Sequence, residues 1–132
     1  MTTPEAVSTT SAPAPGGAYS QAIAFDRLVW TAGQVGIAPD TGELPEDLEK
    51  QVEQAIDNLE AVLTAAGCGV RDVVKTTCFL TDIADFPVFD AIYRRRFADP
   101  LPGRSTVGVQ LAGNLLFEIE ACAVRPEGSM RG

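Results

Sequence analysis

The stretch from Glu46 to Ala66 narrows most sharply what this chain can fold into. Its apolar positions Leu48, Val52, Ile56, Leu59 and Leu63 recur at intervals of three and four, and Gly67 stands where a helix ends. Glu49, Lys50, Glu53 and Asp57 fall on the opposite side, so the spacing predicts an amphipathic helix laid against a sheet. The period then changes. From Val73 to Thr81 the residues are β-branched and alternate, with Val74, Thr76, Cys78 and Leu80 on one side and Lys75, Thr77 and Thr81 on the other, which predicts a strand with one buried face. A second helix is expected from Asp85, as its cap, to about Phe97. Phe89, Ile92, Tyr93 and Phe97 form its stripe, Pro87 sits in the tolerant first turn, and Pro100 and Pro102 stop it.

Ahead of the first helix, Gln21 to Phe25 and Leu28 to Ala32 flank Asp26-Arg27 and read as a hairpin, and Pro39-Asp40-Thr41-Gly42 reads as a turn. Strands at Ser105 to Val109 and Leu115 to Val124 complete the order ββαβαββ. The fold class expected is α/β (α+β), a mixed sheet with two helices on one face. Two helices cover only one face of such a sheet, and Trp30, Val107 and Val109 are left over as apolar candidates for the other. A homo-oligomer that stacks the uncovered faces would bury them and would place clefts between subunits.

With 132 residues, 45% of them hydrophobic, the chain supports one core. Residues 1–15, rich in Thr, Ser, Ala and Pro, are expected to be a disordered arm, residues 16–125 the folded domain, and residues 126–132 a flexible tail. Ten Lys and Arg against 18 Asp and Glu give a net charge of -8, which repels a phosphate backbone, so no nucleic-acid partner is expected. No run has the apolar length of a membrane span or signal peptide, so no membrane partner is expected either. Cys68, Cys78 and Cys122 lack the spacing of a disulfide framework or a zinc knuckle, which points to a reduced, cytoplasmic setting with no metal. Histidine is absent, which removes Ser-His-Asp and Cys-His catalysis and the usual neutral-pH base. Chemistry here has to run on Arg, carboxylates, hydroxyls, thiols, backbone amides and water.

Several residues are then candidates. Arg104 lies between the turn Pro102-Gly103 and the strand beginning at Ser105. A guanidinium held there can grip both oxygens of a carboxylate while Ser105 and nearby amides add donors, though a plain surface charge fits the spacing too. Glu118 and Glu120, two residues apart in an otherwise apolar strand, share a face; they suit either a pocket or a structural ion pair with Arg104 or Lys75 at a subunit boundary. Tyr19, after Gly16-Gly17-Ala18, can close over a pocket or simply pack. Gly33-Gln34 permits close backbone approach at a strand end, or marks a bulge. Arg94-Arg95-Arg96 reads as a solvated or intersubunit salt-bridged helix face in preference to a nucleic-acid site, and Cys78 and Cys122 as small hydrophobes on buried strand faces.

Seven stretches, in order, resemble the RidA/YjgF family of reactive-intermediate imine deaminases. They are Gly17-Ala18-Tyr19-Ser20-Gln21-Ala22, Thr31-Ala32-Gly33-Gln34, Pro39-Asp40-Thr41-Gly42-Glu43, Asp72-Val73-Val74-Lys75-Thr76-Thr77, Asp85-Phe86, Pro102-Gly103-Arg104-Ser105-Thr106-Val107 and Glu118-Ile119-Glu120-Ala121. The resemblance implies a chorismate-mutase-like homotrimer with a central barrel and ligand clefts between neighbours. It implies hydrolysis of 2-imino acids and their enamine tautomers to 2-keto acids and ammonia, with no cofactor. By the same resemblance Arg104 binds the substrate carboxylate, Glu118 orients the attacking water, and Tyr19, Gly33 and Thr106 line the cleft. This sequence departs from the family pattern at Ala32, where archetypal deaminases carry serine, at Asp90, where they commonly carry asparagine, and in a shorter turn before Pro102. Ala32 and Asp90 are therefore expected at the substrate cleft, where they bear on substrate range. The alternatives are a non-catalytic 2-keto-acid-binding or chaperone-like trimer, a deaminase or hydrolase of a larger pathway intermediate and, last because of the charge and the missing histidine, an endoribonuclease.

Overall fold

Residues 3–127 are described by a computed structural model. Helix α1 (Leu48–Ala65) forms where the periodicity places it, and Asp47 caps it by accepting a hydrogen bond from the Lys50 amide at 2.7 Å. Its buried stripe of Val52, Ala55, Ile56, Leu59, Val62 and Leu63 is sealed from solvent. Gln51 and Asn58 are buried too, and both are satisfied. Gln51 Nε2 donates to the carbonyls of Pro45 and Asn114 (2.8 and 3.1 Å) while its oxygen accepts from the Leu116 amide (2.8 Å); Asn58 Nδ2 donates to the carbonyls of Val35 and Ile37 (2.8 and 2.9 Å). Two buried amides thus pin the end of β4 and the segment ahead of β7 to the helix.

Among the described residues seven strands form one sheet: β1 (Glu5–Val7), β2 (Ala22–Phe25), β3 (Leu28–Thr31), β4 (Gln34–Val35), β5 (Val73–Leu80), β6 (Gly103–Gly108) and β7 (Phe117–Val124). The spatial order is β1-β2-β3-β7-β5-β6, with β4 also paired to β7, and every pairing is antiparallel except β5 with β6. That parallel pair is joined by a crossover through α2 (Phe86–Arg96). Phe117, Ile119, Ala121 and Ala123 of β7 meet the helices, and Phe89 of α2 packs on Phe117 at 5.2 Å between ring centroids. The two helices are tied together by Arg96, which reaches Glu53 and Asp57 at 2.6 Å each, and by Arg95 on Glu53 at 3.1 Å. Burial opposes ionisation of Glu53, but the hydrogen bonds from Arg96 and Arg95 outweigh it and hold the carboxyl below its ordinary value. Arg95 and Arg96 of the basic run are therefore spent on structure.

The predicted α+β class agrees with this sheet, the predicted order ββαβαββ is found with β1 and β4 added to it, and four further expectations need correction. Residues 1–15 are not a disordered arm throughout: β1 adds an edge strand to β2, and Val7 and Ala12 are buried. Composition gave no hint because the anchor is remote. Buried Gln21 accepts from the Thr9 amide at 2.7 Å and donates to the Thr9 and Pro13 carbonyls at 3.0 and 2.9 Å. Val74 is exposed, since a β-bulge between Val73 and Lys75 sends Val73 inward in its place. Cys122 shares the outer face with Glu118 and Glu120 and is only half-buried, whereas Cys78 is buried as expected. Arg104 lies within β6, paired with Thr76, and not before the strand. Of the predicted tail, residues 128–132 lie outside the described residues.

Gly36 shows how tightly the β4 loop sits on α1. A Cβ there would come within 2.5 Å of the Gln51 carbonyl oxygen and 2.7 Å of its Cα, both backbone atoms that cannot swing aside. Gly36→Ala is expected to destabilise the fold by about 2–4 kcal/mol, read as a lower midpoint in urea unfolding with little change in slope.

Candidate functional site

The chain carries two half-sites on opposite faces of the sheet. The first is built where β3 breaks. Trp30 faces Cys122 and Gln34 faces Ile119, so between these pairs three residues of one strand stand opposite two of the other and the chain bulges at Ala32-Gly33. At the bulge the Ala121 amide turns to the Thr31 hydroxyl at 3.0 Å. The bulge opens a cleft of about 630 Å³ lined by Tyr19, Gln21, Ala32, Gly33, Leu115 and Glu118 among others.

Glu118 lies directly over Gly33. A Cβ at Gly33 would meet Glu118 Oε2 at 1.8 Å and Cδ at 2.7 Å, so the missing side chain is the space the carboxylate occupies. Within the chain no ion pair reaches Glu118 or Glu120 among the described residues. Burial, and then the charge of Glu120 two residues on, push the Glu118 carboxyl above its ordinary value. A carboxylate raised in this way is a better base than a solvated one. Tyr19 is exposed at the cleft mouth, and its hydroxyl accepts from the Gly16 amide at 3.1 Å, which holds the phenol over the opening.

The second half-site is centred on Arg104. In register with Thr76, its side chain rises on the helix face of the sheet and enters a box of three rings, all carried by α2. The guanidinium carbon lies 4.6 Å from the Tyr93 centroid, 5.1 Å from Phe89 and 5.3 Å from Phe86. Nη1 donates to Asp90 Oδ1 at 2.8 Å. A cavity of about 300 Å³ opens beside it, lined by Asp90, Tyr93, Arg94, Leu101, Pro102 and Arg104. Below the box, Tyr93 and Thr76 share a buried hydroxyl–hydroxyl bond of 2.8 Å that fixes the floor.

The sequence candidates thus fall into two groups. Tyr19, Ala32, Gly33 and Glu118 come together at one cleft, and Arg104 and Asp90 at the other. Thr106 alternates with Arg104 on the same side of β6, and its buried hydroxyl has no hydrogen-bond partner. Ser105 does not join Arg104. Alternation sends it to the outer face, where it accepts from Lys75 Nζ at 3.1 Å. The aromatic box was missed. Phe89 and Tyr93 look like core from their helical spacing, and only the register of β6 against β5 reveals that their faces receive an arginine.

Comparison with known proteins adds to this geometry. The family described as Endoribonuclease L-PSP matches residues 9–125. The rat protein named 2-iminobutanoate/2-iminopropanoate deaminase is 44% identical over 90% of this chain and 88% of its own length. The Escherichia coli K12 protein of the same name is 41% identical over 90% of this chain and 96% of its own. Among solved structures, E. coli TdcF with bound serine superposes with a TM-score of 0.87 at 35% identity, covering 92% of this chain and 99% of that one. The match runs through both half-sites and nearly the whole fold, and the chain belongs to the endoribonuclease L-PSP family, the RidA/YjgF family its motifs resemble.

Proposed function

We propose that this chain is a hydrolytic deaminase of reactive 2-imino and 2-enamino acids, giving 2-keto acids and ammonia, and that it works as a homotrimer of chorismate-mutase-like form with a central barrel. The observation that carries the reading is the separation of Arg104 from Glu118. One chain presents a fixed cation on the helix face and a raised-pKa carboxylate on the other, so a carboxylate-bearing substrate meets both only where two copies abut. The outer face supplies the means to abut: of the three surplus apolar residues Trp30 and Val107 are 42% and 40% exposed, while Val109 is half-buried. Relatives named for this activity at 41–44% identity support the substrate class.

In the proposed reaction Arg104 holds the carboxylate, and Glu118 accepts a proton from a water poised over the imine carbon. The new carbon–oxygen bond forms as the C=N pair moves to nitrogen; Glu118 returns its proton to that nitrogen, and the tetrahedral adduct collapses as its hydroxyl proton passes back to Glu118, the C–N bond breaking to release ammonia and the 2-keto acid. An imine carbon is already electrophilic, so positioning and electrostatics suffice without histidine, metal or cofactor. Gly33 and Thr106 border the space, and Tyr19 closes it. Ala32, lacking a hydroxyl, leaves its part of the cleft to apolar side chains. The three free thiols Cys68, Cys78 and Cys122 suit a reducing cytoplasm. The -8 charge argues against RNA as the substrate.

The test is the rate at which chemically generated 2-iminopropionate and 2-iminobutyrate disappear, with Arg104→Ala as control; rates equal with and without protein would end the reading. Glu118 also sets a pH signature. Its working form is the carboxylate, so kcat/KM falls as pH drops through a value above the ordinary Glu range. Glu120→Gln removes one of the two causes of that rise and is expected to move the acid limb of the pH profile downward.

A further inference from the structure

Arg104 does not meet its ligand as a bare cation. One guanidinium nitrogen is committed to Asp90 Oδ1 at 2.8 Å, and the other nitrogens have no hydrogen-bond partner among the described residues. The side chain is four-fifths buried against three rings, while Asp90 is about half-exposed on the rim of the same cavity. A carboxylate at this point has two separable effects: its oxygen fixes the guanidinium, and its charge acts on whatever anion the free nitrogens hold. The reaction proposed above presents two ligands that differ in charge. A protonated 2-imino acid is a zwitterion of net zero charge, whereas its 2-keto-acid product is a monoanion.

Resting on that reading, we propose that Asp90 is the residue that sets the selectivity of the Arg104 clamp between substrate and product. Its charge weakens the hold on the keto-acid anion, and it weakens the hold on the zwitterion far less, because attraction to the iminium offsets repulsion of the carboxylate. Asp90 thereby speeds product departure. Neutralising it without removing the acceptor oxygen separates the two effects, since the amide of Asp90→Asn still accepts from Arg104 and no longer repels the product.

The experiment measures 2-ketobutyrate binding by calorimetry and the KM for 2-iminobutyrate, for the wild-type protein, Asp90→Asn and Arg104→Ala, at low salt and at high salt. Asp90→Asn is expected to bind 2-ketobutyrate about 3- to 10-fold tighter at low salt, as one unit charge removed a few ångströms away in a half-solvated site would do. The gap should shrink at about 0.5 M salt, and KM for the imine should move less than the keto-acid dissociation constant. Arg104-dependent binding that Asp90→Asn leaves unchanged or weakens would overturn this inference alone. No Arg104-dependent binding of 2-ketobutyrate would overturn both the inference and the reading of the site beneath it.

Discussion

Arg104→Ala is expected to lower kcat/KM for 2-iminobutyrate by roughly 30-fold to several thousand-fold, the equivalent of about 2–5 kcal/mol for losing one side of a desolvated Arg–carboxylate contact. The box of Phe86, Phe89 and Tyr93 remains when the arginine is removed, so folding should survive and the loss should fall on activity. The stronger form of the test uses the geometry. Arg104 stands on the helix face of the sheet and Glu118 on the other, so each active cleft of the proposed trimer draws Arg104 from one copy and Glu118 from its neighbour. Glu118→Gln alone should be as nearly inactive as Arg104→Ala alone. Co-expressed in equal amounts with separable tags, the two variants should recover activity, because random mixing places an intact arginine beside an intact glutamate at about a quarter of the clefts. A site built within one chain would give no recovery, since every protomer lacks one of the two groups. Turnover in the doubly tagged fraction decides it.

Much of the scaffold could be read from residue periodicity. The stripe from Leu48 to Leu63 and the cap at its end predict α1 within two residues, and the alternation from Val73 predicts β5. What periodicity could not supply was relations between distant elements. The bulge that exposes Val74 depends on β7 as partner, and the order of residues 3–15 depends on one buried amide, Gln21, reaching back to Thr9 and Pro13. The same limit applied to the site. Glu118 and Glu120 were rightly put on one face by their spacing, whereas Arg104, expected ahead of the strand, lies inside it. That Ser105 points away from Arg104 follows from simple alternation once Arg104 is inside the strand; that Asp90 meets Arg104 does not, because their approach is set by how α2 crosses back over β6. The family motifs named the candidates, and the sheet register placed Arg104 and Glu118 on opposite faces.

Gly33→Ala isolates the role of the carboxylate with the smallest possible change. The backbone at Gly33 has no left-handed twist to strain, and the added methyl would collide only with Glu118 Oε2 at 1.8 Å, Cδ at 2.7 Å and Cγ at 3.0 Å. These are the atoms of a flexible side chain that can rotate away, so stability should change little, in contrast to Gly36→Ala, whose methyl meets the backbone of α1. Once displaced, Glu118 no longer faces the water-binding position. Loss of a positioned base costs about 10²- to 10⁴-fold in kcat, and a loss toward the lower half of that range is expected, because Arg104 still orients the substrate. KM and the binding of 2-ketobutyrate should stay near their wild-type values. The acid limb assigned to Glu118 should also disappear from whatever activity remains, since a carboxylate swung out of the cleft no longer gates the reaction. A Gly33→Ala protein with normal unfolding, normal keto-acid binding and undiminished kcat would show that Glu118 is a bystander to the chemistry, however closely it lies against the bulge.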